Sequence, residues 1–169
     1  MKPLPFPFPL NIGTDIVHLP RISRLLARPG YLARFTRRIL ADPEQRDFRT
    51  RFSLPVPVPV PDHPDPDPNR SHTNPIHVSA DMTRWLAGRF AAKEAARKAA
   101  PRGAGSLGWK DVVVRVGNGV GAGEAEGRPE VVFLKGYSQG EDQVEEGRVG
   151  KLSISHDGEY VVAMVLAAG

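Results

Sequence analysis

The sequence has no cysteine at any of its 169 positions. That absence excludes disulfide bonds, thiolate zinc sites and a cysteine nucleophile, and it favours an intracellular protein. No apolar run approaches the length of a membrane span, so we expect no membrane partner. Prolines interrupt the N-terminal MKPLPFPFPL, which resembles neither an Arg-rich transit peptide nor a cleavable signal, so any targeting peptide is expected to be absent or already removed.

Charge is unevenly spread along a chain of otherwise ordinary composition, with 40% hydrophobic and 25% charged residues. The stretch 21–51 holds nine arginines against three acidic residues, whereas 117–147 holds two basic and seven acidic residues. The net charge of +4 therefore predicts a cationic surface at one end of the molecule. The length suits a single domain over 1–169, which we expect to be one catalytic unit.

Local patterns predict an α+β fold, in which an antiparallel sheet packs on a long central helix. The predicted helices cover 20–28 and 31–40, a third begins at an N-cap Asp42, and a fourth covers 82–100 and is capped by Ser79 or Asp81. The predicted strands cover 11–19, 111–116, 130–134, 151–156 and 159–166. Asp157-Gly158 predicts a type I′ hairpin between the last two strands. Residues 53–77 contain eight prolines, which disfavour helix and sheet, so we interpret them as a surface insertion.

Glu94 and Lys98 interrupt the small apolar residues of the long predicted helix. They are four positions apart and so share one helix face, where we expect Ala87 and Ala91 to leave room for a ligand. The alternative is an ordinary ion pair on the helix surface. His156 is a further polar residue at a strand end, and its neighbour Ser155 must point to the opposite face, which argues against a Ser–His nucleophilic pair.

Asp15 lies between Ile12 and Ile16 in a predicted core strand, where a carboxylate is costly unless it is paired or binds a metal. The alternative is a hydrogen-bonded turn carboxylate. Asp15 and Glu94 together would give a hard cation two oxygen ligands and leave its other positions to water and phosphate, as Mg²⁺ prefers. Lys98 would then neutralise a phosphate.

Four blocks occur in the order found in a known family: IGTDIV at 12–17, GRFAAKEAARKA at 88–99, GRPEV at 127–131 and LSISHDGEY at 152–160, with RFTRRIL at 34–40 after the first. The chain resembles the holo-acyl-carrier-protein synthases, the small type of 4′-phosphopantetheinyl transferase. The resemblance implies that fold and a Mg²⁺-dependent transfer of phosphopantetheine from coenzyme A to a serine of an apo-acyl carrier protein, releasing adenosine 3′,5′-bisphosphate.

The resemblance also implies roles for particular residues. Asp15 and Glu94 would hold Mg²⁺ against the coenzyme A pyrophosphate, and Lys98 would be a phosphate ligand and a possible proton-transfer group. Residues expected at the nucleotide are Arg89 and His156, toward the 3′-phosphate, and Gly127, Arg128 and Pro129 along its border. Arg89 and Glu94 are about 140° apart on an ideal helix, which agrees with the homotrimer of this family, whose cofactor lies between subunits.

The sequence departs from the family in three places. Asp157 replaces the Thr or similar polar residue of many relatives, and a carboxylate would repel phosphate unless it points away. The acidic stretch 140–148 replaces an expected amphipathic helix, and the insertion at 53–77 is unusual. The insertion favours a eukaryotic, fungal-like source and a mitochondrial location, and without such a source we expect a cytoplasmic protein.

The helical spacing of three arginines predicts a basic stripe on one helix face: Arg21, Arg24 and Arg28. The alternative interpretation is that these arginines only keep the protein soluble. The same spacing predicts that Ile22, Leu25 and Leu26 face the core. The family relation implies that the basic stripe docks the acyl carrier protein. A rival hypothesis is a non-enzymatic basic module that binds nucleic acid or an acidic protein. Against that rival, aromatic residues do not interleave with the basic face, and Asp15 and Glu94 stay unexplained, so we expect no nucleic-acid partner.

Overall fold

A computed structural model describes residues 4, 6–55, 76–117, 127–134 and 147–169. Most of the predicted insertion and most of the acidic stretch lie outside these ranges. The described α-helices are α1 (Leu19–Leu26), α2 (Tyr31–Ile39), α3 (Asp42–Arg51) and α4 (Ala80–Lys98). The described strands are β1 (Leu10–His18), β2 (Val112–Val116), β3 (Pro129–Phe133), β4 (Arg148–Asp157) and β5 (Tyr160–Ala168). Short 3-10 turns at Ala104–Ser106 and Trp109–Asp111 connect α4 to β2.

The strands form one antiparallel sheet in the order β1-β5-β4-β3-β2, which confirms the predicted α+β class. Helix α4 packs across β1 and β5 and supplies much of the core. Its alanines allow close approach: a Cβ added at Gly13 of β1 would lie 2.0 Å from the carbonyl oxygen of Ala95. Ala87 and Ala91 are fully buried in this contact, so the expectation that they face a ligand is wrong.

Two predicted helix starts can be compared with the structure. Ser79 caps α4, because its Oγ accepts a hydrogen bond from the Met82 N–H at 3.1 Å. The predicted cap Asp42 is off by one residue, since Ala41 is the N-cap of α3 and its N–H donates to the Glu44 carboxylate at 2.8 Å. A side chain three residues into the helix thus replaces the side-chain cap that we expected at its start.

The turn between β4 and β5 lies one residue later than predicted. Asp157 pairs with Tyr160 in the ladder, which leaves Gly158 and Glu159 as the turn residues. Gly158 has a φ of 50°, and Glu159 is not among the described residues with positive φ. Positive φ only at the first central residue fits type II′, so the predicted type I′ turn at Asp157-Gly158 is wrong.

One face of the sheet is buried against α4, and side chains on the other face of β1 and β5 are exposed. Burial alternates along β5, with Val161, Ala163 and Val165 buried. The exposed side chains between them are apolar too, as are those on the same face of β1: Ile12, Ile16, Val162, Met164 and Leu166. Within the described residues, no helix is long and apolar enough to cross a membrane.

Candidate active site

Asp15 and Lys98 meet where β1 crosses the C-terminal end of α4. The Lys98 Nζ donates to Asp15 Oδ1 at 2.9 Å and to the Thr14 carbonyl oxygen at 2.8 Å. Asp15 points to the helix side of β1, while Ile12 and Ile16 are exposed on the other side. The strand is therefore buried on one face only, and Asp15 avoids the desolvation cost by pairing with an ammonium at the margin of the core.

Glu94 lies one helical turn before Lys98 but contacts a different cation. Its Oε1 accepts a hydrogen bond from Arg97 Nη1 at 3.0 Å. Arg97 is itself fixed by a bond from its Nε to the Leu107 carbonyl oxygen at 2.9 Å. The simple Glu94–Lys98 surface pair is thus not formed, and each carboxylate of the predicted site has its own cation.

The donor set of this region fits magnesium better than zinc. The side chains of Asp15 and Glu94 are 16% and 22% exposed, so solvent and a ligand can reach them. Among the described residues, no cluster of three or more His, Cys, Asp or Glu side chains could hold a metal. Two accessible carboxylates without imidazole or thiolate agree with a cation that takes its remaining ligands from water and phosphate.

A cavity of about 400 Å³ lies beside the N-terminal half of α4 and contains two further predicted residues, Arg89 and His156. Its other lining residues are Arg51, Phe52, Asp81, Arg84, Trp85, Gly88 and Ile154. Neighbouring residues of a strand point to opposite faces, so Ser155 and Asp157 lie on the far side of β4 from His156. The Asp157 carboxylate therefore does not point into this cavity.

The cavity is suited to an anion. Arginines 51, 84 and 89 outnumber the one carboxylate in its wall, Asp81. Desolvation, followed by the positive charge of Arg84, lowers the pKa of His156. Burial also lowers the pKa of Arg89, and the Asp47 carboxylate opposes that shift. Two buried donors of the described residues have no hydrogen-bond partner, Trp85 Nε1 and Arg89 Nε, and both belong to lining residues.

The predicted nucleotide border, residues 127–129, is not part of the lining of this cavity. Gly127 has a φ of 82°, a conformation that favours glycine, and begins the segment that leads into β3. Its N–H donates to the Gly117 carbonyl oxygen at 3.1 Å, and the Gly117 N–H donates to the Arg128 carbonyl oxygen at 2.8 Å. Arg128 and Pro129 follow these hydrogen bonds in the chain and are exposed. Within this chain the three residues thus lie at the end of the β2–β3 pair.

A buried ion pair next to Glu94 was not predicted. Lys93 is 0% and Glu44 2% exposed, and their Nζ and Oε2 atoms are 2.6 Å apart. Lys93 also donates to the carbonyl oxygens of Trp109 and Val112, and Glu44 accepts from the N–H groups of Ala41 and Val114. Desolvation lowers the pKa of Lys93, and Glu44 opposes this. The available signal was spacing, because Lys93 is seven positions after buried Leu86 and so shares its face.

A larger cavity of about 550 Å³ is lined mainly by aliphatic residues of β2, β3 and the start of α3, including Val113, Val132 and Leu134. None of the predicted site residues lines it. The size of a cavity does not indicate a reaction, so we assign the reaction to the site with Asp15, Glu94 and Lys98.

Helix α1 presents two of the three predicted docking arginines. Arg21 and Arg24 are exposed, and Ile22 and Leu26 are buried as expected. Leu25 is only half-buried, and α1 ends at Leu26, so Arg28 lies in the following turn instead of on the helix. Pro29 and Gly30 follow directly, which explains why the helix does not continue.

Sequence comparisons point to one family. The family model of the 4′-phosphopantetheinyl transferase superfamily matches residues 11–165. The chain is 64% identical over 170 residues to 4′-phosphopantetheinyl transferase B, mitochondrial, of Aspergillus fumigatus, with 100% of both chains covered. It is 33% identical over 157 residues to the holo-[acyl-carrier-protein] synthase of Oceanobacillus iheyensis, covering 92% of this chain and 93% of that relative.

Solved structures give the same answer at lower identity. A holo-(acyl-carrier-protein) synthase of Bacillus anthracis in complex with coenzyme A (3′,5′-ADP) matches with a TM-score of 0.54 and 26% identity, covering 92% of this chain and 93% of that one. The holo-[acyl-carrier-protein] synthase of Neisseria meningitidis matches with a TM-score of 0.56 and 26% identity, covering 94% and 98%.

Proposed function

This chain belongs to the 4′-phosphopantetheinyl transferase superfamily, and we propose that it transfers the 4′-phosphopantetheine arm of coenzyme A to a serine of an apo-acyl carrier protein. The observation that carries the proposal is the contact of Asp15 with Lys98 at 2.9 Å, one helical turn from Glu94. The coenzyme A complex of the Bacillus anthracis relative supports coenzyme A as the donor.

The chain's side chains would bind and neutralise the pyrophosphate, while the carrier serine supplies the nucleophile. The serine hydroxyl gives up its proton to a water molecule and its oxygen forms a bond to the β-phosphorus. The bond from that phosphorus to the bridging oxygen breaks, and adenosine 3′,5′-bisphosphate leaves. Lys98, whose side chain is 46% exposed and whose Nζ is 2.9 Å from Asp15, would contact a phosphate oxygen. Such transfers depend mostly on positioning and charge neutralisation, which an ammonium and fixed carboxylates can provide.

Asp15 and Glu94 are the residues that would hold Mg²⁺. When bound there, Mg²⁺ supplies further positive charge for the pyrophosphate oxygens. Arg97 would keep the Glu94 carboxylate in place, since Arg97 is fixed by the Leu107 carbonyl oxygen.

We assign the cavity with Arg89 and His156 to the 3′-phosphate end of coenzyme A. Its three arginines and the unpaired Nε–H of Arg89 support an anionic ligand. Arg89 and Glu94 are about 140° apart around α4, so one ligand cannot easily contact both on the same helix. The cavity of one subunit would therefore complete a site whose Asp15 and Glu94 belong to a second copy.

A homotrimer is the assembly that we propose, with the outer face of β1 and β5 as its interface. Ile12 and Ile16 are 63% and 61% exposed there, beside the exposed Met164. Contiguous exposed apolar side chains on a soluble domain are typical of a protein interface.

Carrier docking is proposed at α1, where Arg21 and Arg24 face solvent. The name of the Oceanobacillus iheyensis relative gives the acyl carrier protein as its substrate. For the compartment we propose mitochondria, because the Aspergillus fumigatus relative with that location in its name is 64% identical over the whole chain. Fractionation of cells that express the protein would test the compartment.

The decisive experiment incubates the protein with apo-acyl carrier protein, coenzyme A and Mg²⁺ and reads the carrier by intact mass. We expect the mass of one phosphopantetheine to be added, and no addition to a carrier whose modified serine is alanine. Chelation of the divalent cation should stop the reaction. If the unaltered carrier binds but gains no mass in the presence of coenzyme A and Mg²⁺, a non-enzymatic binding module would be favoured instead.

A further inference from the structure

Arg89 is held by two residues outside the sequence blocks that suggested the family. Its Nη2 lies 3.4 Å from Oδ2 of Asp47, a residue of α3. Its guanidinium carbon lies 3.8 Å from the centroid of the Trp85 ring, close enough for a cation–π contact. The Arg89 side chain is only 16% exposed, whereas Asp47 is 47% exposed, so water screens the contact with the ring weakly and the contact with the carboxylate more strongly.

The ring beneath the guanidinium is itself fixed from α3. Trp85 packs against Phe48 at a centroid distance of 5.3 Å and against Phe52 at 6.3 Å, edge to face. Phe48 is fully packed in the core, with 3% exposure. The end of α3 therefore supports the Trp85 ring of α4 and supplies a carboxylate for Arg89.

Asp47 would be unfavourable in this place if it acted only by its charge. A carboxylate beside a phosphate site lowers the attraction of the site for a phosphate. An arginine side chain loses considerable rotamer freedom when it binds a ligand. A partner that holds the guanidinium in place before binding lowers this entropic cost. The hydrogen bond to Asp47 engages only one of the several N–H donors of the guanidinium.

We propose that Asp47 and Trp85 are positioning residues that fix Arg89 in the cavity wall and so set the preference of the site for a 3′-phosphorylated donor. The proposal rests on the proposed function, in which this cavity receives the 3′-phosphate of coenzyme A. It adds two residues to the site that neither bind the phosphate directly nor belong to the motifs of the sequence.

Binding of coenzyme A and of 3′-dephospho-coenzyme A to the full-length protein tests the proposal by calorimetry. Asp47→Ala should weaken coenzyme A about three- to tenfold, the cost of leaving one long side chain unfixed, and leave the dephospho compound unchanged. Asp47 is half-exposed on a helix that accepts alanine well, so this variant should fold. Circular dichroism would verify that.

A matched control is Asp81→Ala. Asp81 lies in the same cavity wall and pairs with Arg84 at 3.2 Å, so this change removes one carboxylate without touching Arg89. Charge alone predicts tighter coenzyme A binding for both variants, whereas positioning predicts opposite signs. For the ring, Trp85→Phe should keep most of the discrimination between the two donors and Trp85→Leu should lose it.

The outcomes separate this proposal from the proposed function. If the wild-type protein transfers phosphopantetheine and discriminates between the two donors, but Asp47→Ala binds coenzyme A equally well or more tightly, the positioning role is overturned. If the wild-type protein binds both donors equally, the cavity is not the 3′-phosphate site and the inference also fails. Absence of transfer in the mass assay would overturn the proposed function itself.

Discussion

Glu44 and Lys93 form the most buried ion pair of the described residues, and Lys93 directly precedes the proposed metal ligand Glu94 in α4. Lys93 connects α4 to α3 through Glu44 and to the start of β2 through the Val112 carbonyl oxygen at 2.6 Å. The Lys93 Nζ and both carboxylate oxygens of Glu44 have hydrogen-bond partners. This is the condition under which buried charges are tolerated. The pair fixes the rotation of α4 and hence the direction in which Glu94 points.

We predict that Lys93→Met destabilises the protein by about 3–5 kcal/mol, because it leaves the Glu44 carboxylate buried without its cation. The double variant Glu44→Gln with Lys93→Met should recover part of that loss, since it removes the unpaired buried charge and the amide oxygen can still accept one of the two backbone N–H groups. Urea unfolding followed by circular dichroism measures both free energies. A loss below about 1 kcal/mol for Lys93→Met would mean that the pair is not a significant stabilising contact.

A second prediction concerns the reacting end. Asp15→Asn and Glu94→Gln should each lower kcat of transfer by a factor on the order of 100 or more, because each replaces a charged oxygen ligand by a neutral one. Both substitutions keep shape and hydrogen bonding, so the unfolding midpoint should change little. Glu159→Gln, at an exposed carboxylate beside His18, is the matched control and should keep normal turnover. Near-normal activity of the Asp15 variant at limiting Mg²⁺ would contradict the assignment.

The third prediction follows from the lowered pKa of His156. Desolvation and Arg84 favour the neutral imidazole in the free cavity, whereas a bound phosphate favours the imidazolium. Coenzyme A binding should therefore take up a proton near neutral pH, and affinity should weaken as the pH rises from about 6.5 to 8. Calorimetry in two buffers of different ionisation enthalpy measures the uptake. His156→Gln and 3′-dephospho-coenzyme A should both abolish it, and uptake that persists in the variant would assign the proton elsewhere.

At the scale of elements, the sequence allowed good predictions wherever the signal was local. Helix α4 has a cap, strong helix formers and a stop within one continuous segment, and it was predicted to within two residues at each end. The strands shifted by up to three residues, because pairing with neighbours decides where a ladder ends. The turn at Gly158 moved by one residue for the same reason.

Contacts between distant elements could not be predicted. The spacing of Lys93 from Leu86 was an unused signal that Lys93 faces the core, and nothing local identifies Glu44, which is 49 positions away, as its partner. The Asp47–Arg89 contact joins α3 and α4 across 42 positions and was likewise missed. In contrast, Asp15 and Lys98 could be assigned to one site, because each is a polar residue in an apolar element and the motif resemblance supports the grouping. Their direct contact was not predicted.

The prediction at this scale concerns α1. Arg21→Glu with Arg24→Glu should lower kcat/KM for the acyl carrier protein and reduce its dependence on salt, because exposed charges mainly steer the encounter of two proteins. Coenzyme A affinity should stay nearly unchanged. Arg28→Glu is an informative comparison, since this residue lies in the turn after the helix and should have a smaller effect. Unaltered carrier KM and salt dependence in the double variant would place docking on another surface.

At the scale of the whole molecule, the proposed metal ligands and the proposed 3′-phosphate cavity must both reach one coenzyme A molecule. Asp15 lies at the C-terminal end of α4, while the cavity with Arg89 lies beside its N-terminal half on a different side of the helix. The apolar outer face of β1 and β5 offers a surface through which copies of the chain can associate. Association would bring the cavity of one copy toward the carboxylates of another, so assembly and catalysis should be coupled.

Mixing two inactive variants tests that coupling directly. Asp15→Asn inactivates the reacting end and Arg89→Ala the nucleotide end, so neither homotrimer should transfer efficiently. If one site takes Asp15 from one subunit and Arg89 from its neighbour, mixed trimers contain some sites in which both residues are intact. Co-expression, or dissociation followed by reassembly, should then restore a substantial fraction of wild-type activity, whereas a site within one chain leaves every combination defective.

Adding Ile16→Asp to both variants supplies the control, because a charge on the outer face of β1 should prevent assembly and abolish the recovery. Light scattering reports the oligomeric state of each mixture, and assembled mixed trimers without recovered activity would show that each chain carries its own complete site.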